Sequence, residues 1–311
     1  TKGSSTMTLE ERGDQIRRCR DSFAYFLRHA VYLQDRTGEA TIRWEWWPIH
    51  GEMAYDLESK HADERLLVWL KARQVSASWM LAAYAVWRIL LAGGRHVLVL
   101  VISQGQRESS DFLDKCRFVL VHLPAAWDMD LHLETDNTTR LQVGVTGGQI
   151  LALPSTEKAG HSYTASVVIV DEAAHHQYAG ANYVAYKPAI DAGGKLVVVS
   201  TAAGMDSFFH RMYVSARERT SNFKARFLPW HVRPGRDGAW YEAQRVDLRA
   251  AGREHLLEQE YPSNDQEAFI VSGNPRFDLV AMKRGLEWSQ RVRPLERQHL
   301  PPALQRLEGL T

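Results

Sequence analysis

Two acids stand together in the stretch Ser166 to His176: Asp171 and Glu172 directly follow the β-branched run Val167, Val168, Ile169 and Val170. Such a run predicts a central strand of a parallel sheet, buried on both faces. In an open α/β sheet the carboxyl ends of the strands form the ligand crevice, so both acids would emerge where a nucleotide binds. One carboxylate can hold Mg²⁺ while the other takes a proton from water. The alternative is a strand that ends in two solvated acids. His175 and His176 follow, and without Cys or His partners at metal-ligand spacing they read as local packing or as contacts to a neighbouring subunit.

A second constellation is Lys71-Ala-Arg-Gln-Val-Ser-Ala-Ser78, set between the apolar run Arg65 to Leu70 and a helix predicted over Trp79 to Ala92 and ended by Gly93-Gly94. Strand, short polar loop and helix together aim backbone N–H groups and a helix N-terminus at phosphates. The usual phosphate loop has glycine, lysine, then Ser or Thr before the helix, and here those positions hold Ser76, Ala77 and Ser78. Ser78 keeps a hydroxyl able to ligate Mg²⁺, while phosphate charge falls to Lys71 or Arg73. An ordinary strand-to-helix turn is the alternative. A third candidate is Ser200-Thr-Ala-Ala-Gly204, closing the buried run Leu196 to Val199; hydroxyls there would feel a γ-phosphate, although a plain turn would look the same.

Positioning these groups requires several buried strands in parallel. His96 to Ile102 predicts another, opening into Ser103 to Ser110 and a helix through Cys116; Leu131 to Leu153 alternates around Gly147-Gly148 and predicts an antiparallel edge. Apolar strands that repeatedly end in polar residues favour an α/β fold, a mainly parallel sheet flanked by helices with a nucleotide across the strand ends. Ahead of it, Leu9 to Gln34 has helical spacing, with Arg17, Arg18 and Arg20 on a solvated face. Trp44 to His50 is an aromatic cluster stopped by Pro48, read as packing or as a platform for an adenine ring. Past Gly204, Arg211, Arg217, Arg219, Lys224 and Arg226 fall in a helical or loop segment that is either a solvated face or a track for DNA phosphates. Trp230, Trp240 and Tyr261 lie in packing elements on the flank, and from Gly273 prolines and arginines point to a partly extended connector.

Composition narrows the classes. A chain of 311 residues can bury a substantial core, and its formal charge of +1 decides nothing about nucleic acid. Cys19 and Cys116 give neither a disulfide framework nor a metal spacing and read as buried thiols in a reducing, intracellular setting. The run Trp79 to Ala92 is too short, and with Arg88 too charged, to span a bilayer, so no membrane partner is expected. The opening residues Thr1 to Thr6 are read as a possible expression remnant, outside the fold argument.

Taken in order, Lys71 to Ser78, Val168 to Ala174, Ser200 to Gly204, Gln259-Glu-Tyr-Pro262 and Glu267-Ala-Phe269 with Ser272-Gly273 resemble the large terminase subunit of tailed bacteriophages, over about residues 20 to 278. The resemblance implies a P-loop NTPase of the additional-strand type, like recombinases and helicases, with ATP and Mg²⁺ as cofactors. It implies a helical lead-in over 1–45, a motor domain over 46–272 and a connector over 273–311 toward a nuclease domain, with no nuclease activity expected of this chain. By the same resemblance Lys71 and Arg73 hold phosphates, Gln74, Val75, Ser76, Ala77, Ser78 and Trp79 line the nucleotide, Ser78 and Asp171 hold Mg²⁺, Glu172 deprotonates the attacking water, and Ser200 and Thr201 couple hydrolysis to movement. His50 stands where the family's adenine-contacting glutamine falls. His161 stands at the trans-acting arginine position, with Arg140 as the other candidate for that role. Implied partners are double-stranded DNA, the portal protein, the small terminase subunit and further copies of the chain in a ring, in the host cytoplasm and transiently at the procapsid. Two other functions are weighed: a catalytically weak DNA- or portal-binding module, and a helicase-like ATPase outside packaging.

Overall fold

Ser22 divides the N-terminal apolar pattern into two helices. In a computed structural model, which describes residues 7–270 apart from Arg36, Ala62, Asp63, Asp130, His161 and Ser162, together with Gly285 and Trp288, α1 spans Leu9–Asp21 and α2 spans Phe23–Ala30. The Ser22 side chain caps α2 by accepting from the Tyr25 amide, and Glu58 accepts from the Ser22 hydroxyl at 3.1 Å and from the Ala24 amide at 2.7 Å. The single helical lead-in predicted over Leu9 to Gln34 is therefore broken by a cap whose second partner lies far away in sequence. The chain then turns into a small hairpin of β1 (Tyr32–Gln34) and β2 (Thr41–Arg43). Pro48 does not stop the tryptophan cluster so much as start a helix, α3 (Pro48–Glu58), where proline at the first position loses no hydrogen bond.

The main sheet has eight strands: β3 (Leu66–Lys71), β4 (Leu98–Ser103), β5 (Leu133–Asp136), β6 (Arg140–Val143), β7 (Gln149–Pro154), β8 (Val167–Asp171), β9 (Lys195–Ser200) and β10 (Lys224–Leu228), in the spatial order β10-β3-β9-β8-β4-β7-β6-β5. From β10 to β7 every neighbour is parallel; β6 and β5 run antiparallel. The expected antiparallel edge is thus β5 and β6, whereas β7 closes the parallel series against β4. Lys224 and Arg226, expected in a helical or loop segment, stand on the parallel edge strand β10. The buried runs divide by alternation, Leu67 and Trp69 of β3 and Val167 and Ile169 of β8 entering one core layer while Val68, Leu70, Val168 and Val170 enter the other.

Helices cover both faces. The first core layer holds α1, α2, α4 (Ala77–Trp87, continued by a π-helical turn Arg88–Ala92) and α5 (Gln106–Val121); the second holds α6 (Ala179–Asp191) and α7 (Phe208–Arg217). The lead-in helices are built into the first layer: Phe23 meets Tyr84 edge-on at 5.4 Å, and the Trp87 indole donates to the Cys19 carbonyl at 2.7 Å. Cys19 and Cys116 are buried free thiols, and burial pushes each up to about 12, so neither is a thiolate near neutrality. A flank of α8 (Gly238–Ala250), α9 (Leu257–Glu260) and α10 (Asp265–Ile270) completes the described core. The expected connector from Gly273 lies outside the described residues save Gly285 and Trp288, which are helical and exposed.

Candidate nucleotide site

Three adjacent strand ends build the site. β9 lies between β3, which leads into the loop, and β8, which ends in the acid pair, with Leu70 beside Ser200 and Asp171 beside Val199. Residues far apart in sequence therefore meet. The Lys71 ammonium, buried at 6 % exposure, crosses the end of β9 to donate to Glu172 Oε1 at 2.6 Å. Glu172 Oε2 accepts from the Thr201 amide at 3.3 Å and from the Ser200 and Thr201 hydroxyls at 3.4 Å each. Glu172 itself adopts the left-handed region at φ 54°, which turns the chain out of β8 into a short 3₁₀ turn and returns the carboxylate over the neighbouring strand ends.

On the other side of β8's end, the Ser78 hydroxyl donates to Asp171 Oδ1 at 3.3 Å. Burial, and next the like charge of Glu172, raise the Asp171 carboxyl to about 6. Burial also acts upward on Glu172, but the Lys71 charge and hydrogen bond, with the Thr201 amide, outweigh it and hold this carboxyl below the usual glutamate range. The pair is thus split: a base kept ionised by a lysine, and an acid buried beside a hydroxyl with no cation of its own within hydrogen-bond reach among the described residues.

The loop between Lys71 and α4 winds around a cavity of about 120 Å³ lined by Lys71 and every residue from Gln74 to Trp79. Val75 is buried at 1 % exposure and anchors the loop, and on either side Gln74 (φ 58°) and Ser76 (φ 63°) take left-handed conformations that alternate with it. Ser76 is the N-cap of α4 yet makes no side-chain cap hydrogen bond, so the first-turn N–H groups keep their capacity for an anion. Of the two cations read from sequence, Lys71 faces this cavity while Arg73 is paired with Glu260 and donates its backbone amide to the Glu260 carbonyl at 3.0 Å. This gives a place in the structure to Gln259-Glu-Tyr-Pro262, which carried the resemblance without a role. Sequence reasoning passed over Arg233 and Arg236, which reach the loop from the flank: Arg233 donates to the Gln74 carbonyl at 3.1 Å and Arg236 to the Arg73 carbonyl at 2.9 Å. No sequence spacing signals them, because their partners are backbone atoms about 160 residues earlier.

His175 and His176 both have local roles. The His176 ring meets the Asp171 carbonyl at 2.8 Å, and His175 reaches the Thr201 hydroxyl at 3.3 Å, joining the hydroxyl that faces Glu172. His50 is 1 % exposed among Trp44, Trp46 and Trp47, where its Nδ1 accepts from the Trp44 indole and the Trp47 amide, each at 3.1 Å; it lines no part of the loop cavity. His161 lies outside the described residues. Arg140 is on β6, three strands from β8.

These groups fit a magnesium nucleotide. Ser78 and Asp171 offer hard oxygen atoms close enough to share one small cation, the donor set Mg²⁺ takes when phosphates and water supply the rest. Among the described residues no group of three His, Cys, Asp or Glu stands together as a metal cage.

A strand inserted between the strand that leads into the loop and the strand that ends in the acid pair gives the sheet an additional-strand α/β topology. No family model matches the sequence, and no curated protein matches it. Solved structures match the fold. The large terminase ATPase domain of Thermus phage P74-26 aligns at 16 % identity over 70 % of this chain and 98 % of that one, with a TM-score of 0.51. The large terminase of bacteriophage HK97 aligns at 13 % identity over 90 % of this chain and 52 % of that one, with a TM-score of 0.56. The fold is that of phage large-terminase ATPase domains, and this chain spans about half of the HK97 protein.

Proposed function

We propose that this chain is the ATPase motor portion of a phage large terminase, hydrolysing Mg·ATP to drive double-stranded DNA into a procapsid. The observation that carries this reading is the meeting of Lys71, Glu172, Ser200 and Thr201 on three adjacent strand ends beside an uncapped helix N-terminus. Lys71 binds phosphate oxygen. Ser78 and Asp171 hold Mg²⁺, which when bound neutralises phosphate charge as it develops. Glu172 takes the proton of the attacking water, held in place by the Thr201 amide and the two hydroxyls. The Lys71 ion pair gives this base a resting partner, and movement of the lysine toward phosphates would release the carboxylate for water. Ser200 and Thr201, touching Glu172 at the end of the strand between the two halves of the site, would transmit its change of partner.

The motor domain in this reading runs over 46–272, with 1–45 as helical lead-in and 273–311 as connector. The proposed partners are double-stranded DNA, portal protein, small terminase subunit and further copies in a ring, acting in the host cytoplasm. DNA-stimulated phosphate release by the purified chain tests the function, and Glu172→Gln tests the site. We expect turnover to fall roughly 10²- to 10⁴-fold with ATP binding retained. Wild-type turnover in both Glu172→Gln and Asp171→Ala would sink the assignment.

A further inference from the structure

We propose that Arg236 is a positioning residue for the phosphate loop, supplying from outside the backbone path that glycine would supply from within. The starting point is an apparent conflict. Gln74 and Ser76 both stand in the left-handed region, where a side chain is strained and where phosphate loops use glycine. Such conformations persist only where surrounding groups over-determine them.

The over-determination is visible at Gln74. Its φ and ψ are set by the two peptide planes that flank its Cα, one carrying the Arg73 carbonyl and the other the Gln74 carbonyl. Arg236 Nη1 donates to the first at 2.9 Å and Arg233 Nη1 to the second at 3.1 Å, so both planes are pinned. Arg236 Nη2 also donates to the Gln74 side-chain Oε1 at 3.1 Å. Arg236 is itself rigidly held. It is 8 % exposed, with its guanidinium over the Trp240 ring at 4.3 Å and the Tyr261 ring at 5.4 Å, and those two rings meet edge-on at 5.1 Å. A planar guanidinium holds its donors in a fixed fork, so Arg236 can satisfy two loop acceptors in one set geometry while it lies flat over the rings, whereas an ammonium fixes no such directions.

The role rests on the nucleotide reading for its effect on binding but not for its effect on the loop, and the test uses both readouts. Mg·ADP affinity and amide hydrogen exchange over 72–79 are measured in the full chain for wild type, Arg236→Gln, Gln74→Gly and the double variant. Arg236→Gln is expected to weaken ADP about tenfold, the factor for ~1.4 kcal/mol of left-handed backbone cost no longer offset. It should speed exchange in the loop and leave β8 unchanged. Adding Gln74→Gly should restore most of the affinity, because glycine adopts this conformation unaided. A purely structural arginine would not be rescued by glycine 162 residues away in sequence. The proposal is overturned if Arg236→Gln leaves affinity and loop exchange unaltered, or if lost affinity is not recovered in the double variant. Should wild type bind no ADP, the nucleotide reading falls and the exchange comparison still decides the positioning role. If Arg236→Gln does not fold, Arg236→Lys keeps the charge on the aromatic rings with a single ammonium, and the same partial loss and glycine rescue are required of it.

Discussion

His50 is sealed among tryptophans with its Nδ1 already accepting two N–H groups, and that setting fixes its protonation. Burial lowers it from 6.5 to about 4, against a small opposing pull from the Glu45 backbone. Because the folded value lies below the unfolded one, the stability tied to a neutral ring is complete above pH 6.5 and is lost progressively as pH falls from 6.5 toward 4. The loss from this one residue is about 1.4 kcal/mol per pH unit in that window. His50→Asn keeps an acceptor in the Nδ1 position without a titrating ring. Urea unfolding free energies measured from pH 7 to 4 should therefore fall less steeply for the variant, and parallel curves would refute the assignment. The resemblance singles out this position as the adenine contact and the sequence places it in a tryptophan cluster, but whether it faces a ligand or the core depends on which way three indoles pack. Asp171 and Glu172 were easier, since four β-branched residues leave little choice about where the strand ends.

Elements show a similar contrast. β3, β4, β8 and β9 were legible because both faces are buried and the apolar runs are continuous. β10 was not, because Lys224 and Arg226 interrupt its pattern, and the reason lies on α3. Asp56 is fully buried there and pairs with both, Lys224 at 3.0 Å and Arg226 through its guanidinium, while Glu64 takes Lys224 at 2.8 Å and Glu52 takes Arg226. Charges that look like a DNA-facing stripe in sequence are thus spent on docking a helix to the sheet edge. Asp56→Asn leaves Arg226, 14 % exposed, short of its buried counter-charge. It should cost about 3 kcal/mol in chemical denaturation. A loss below about 1 kcal/mol would mean that solvent already screens the cluster.

Across the whole molecule the same neutralisation recurs. Arg217 pairs with Asp265, Arg245 with Glu242 and Arg249 with Glu254, so the arginine-rich second half presents fewer free cations than its composition suggests. A ligand that binds only the folded chain stabilises all of it together. Mg·ADP at a hundred times its dissociation constant should raise the unfolding free energy by about 2.7 kcal/mol, and chelation of Mg²⁺ should remove most of that gain. No shift at any concentration would leave the cavity beside Lys71 without a nucleotide. Among the described residues no helix is long and apolar enough to cross a membrane.

The sheet's two margins bear on how the protein behaves at high concentration. An open parallel sheet exposes unpaired backbone at each border, where a strand from another molecule can add. Here one border, β10, carries Lys224 and Arg226 clamped to α3, and the other, β5, belongs to a short hairpin that runs against the grain of the parallel series, with Glu134 and Gln142 bonded across it at 2.6 Å. Both borders carry charged side chains, and the β5 border is also short and antiparallel to its neighbour. Charged side chains at both borders therefore disfavour the addition of a strand from another molecule when the protein is concentrated.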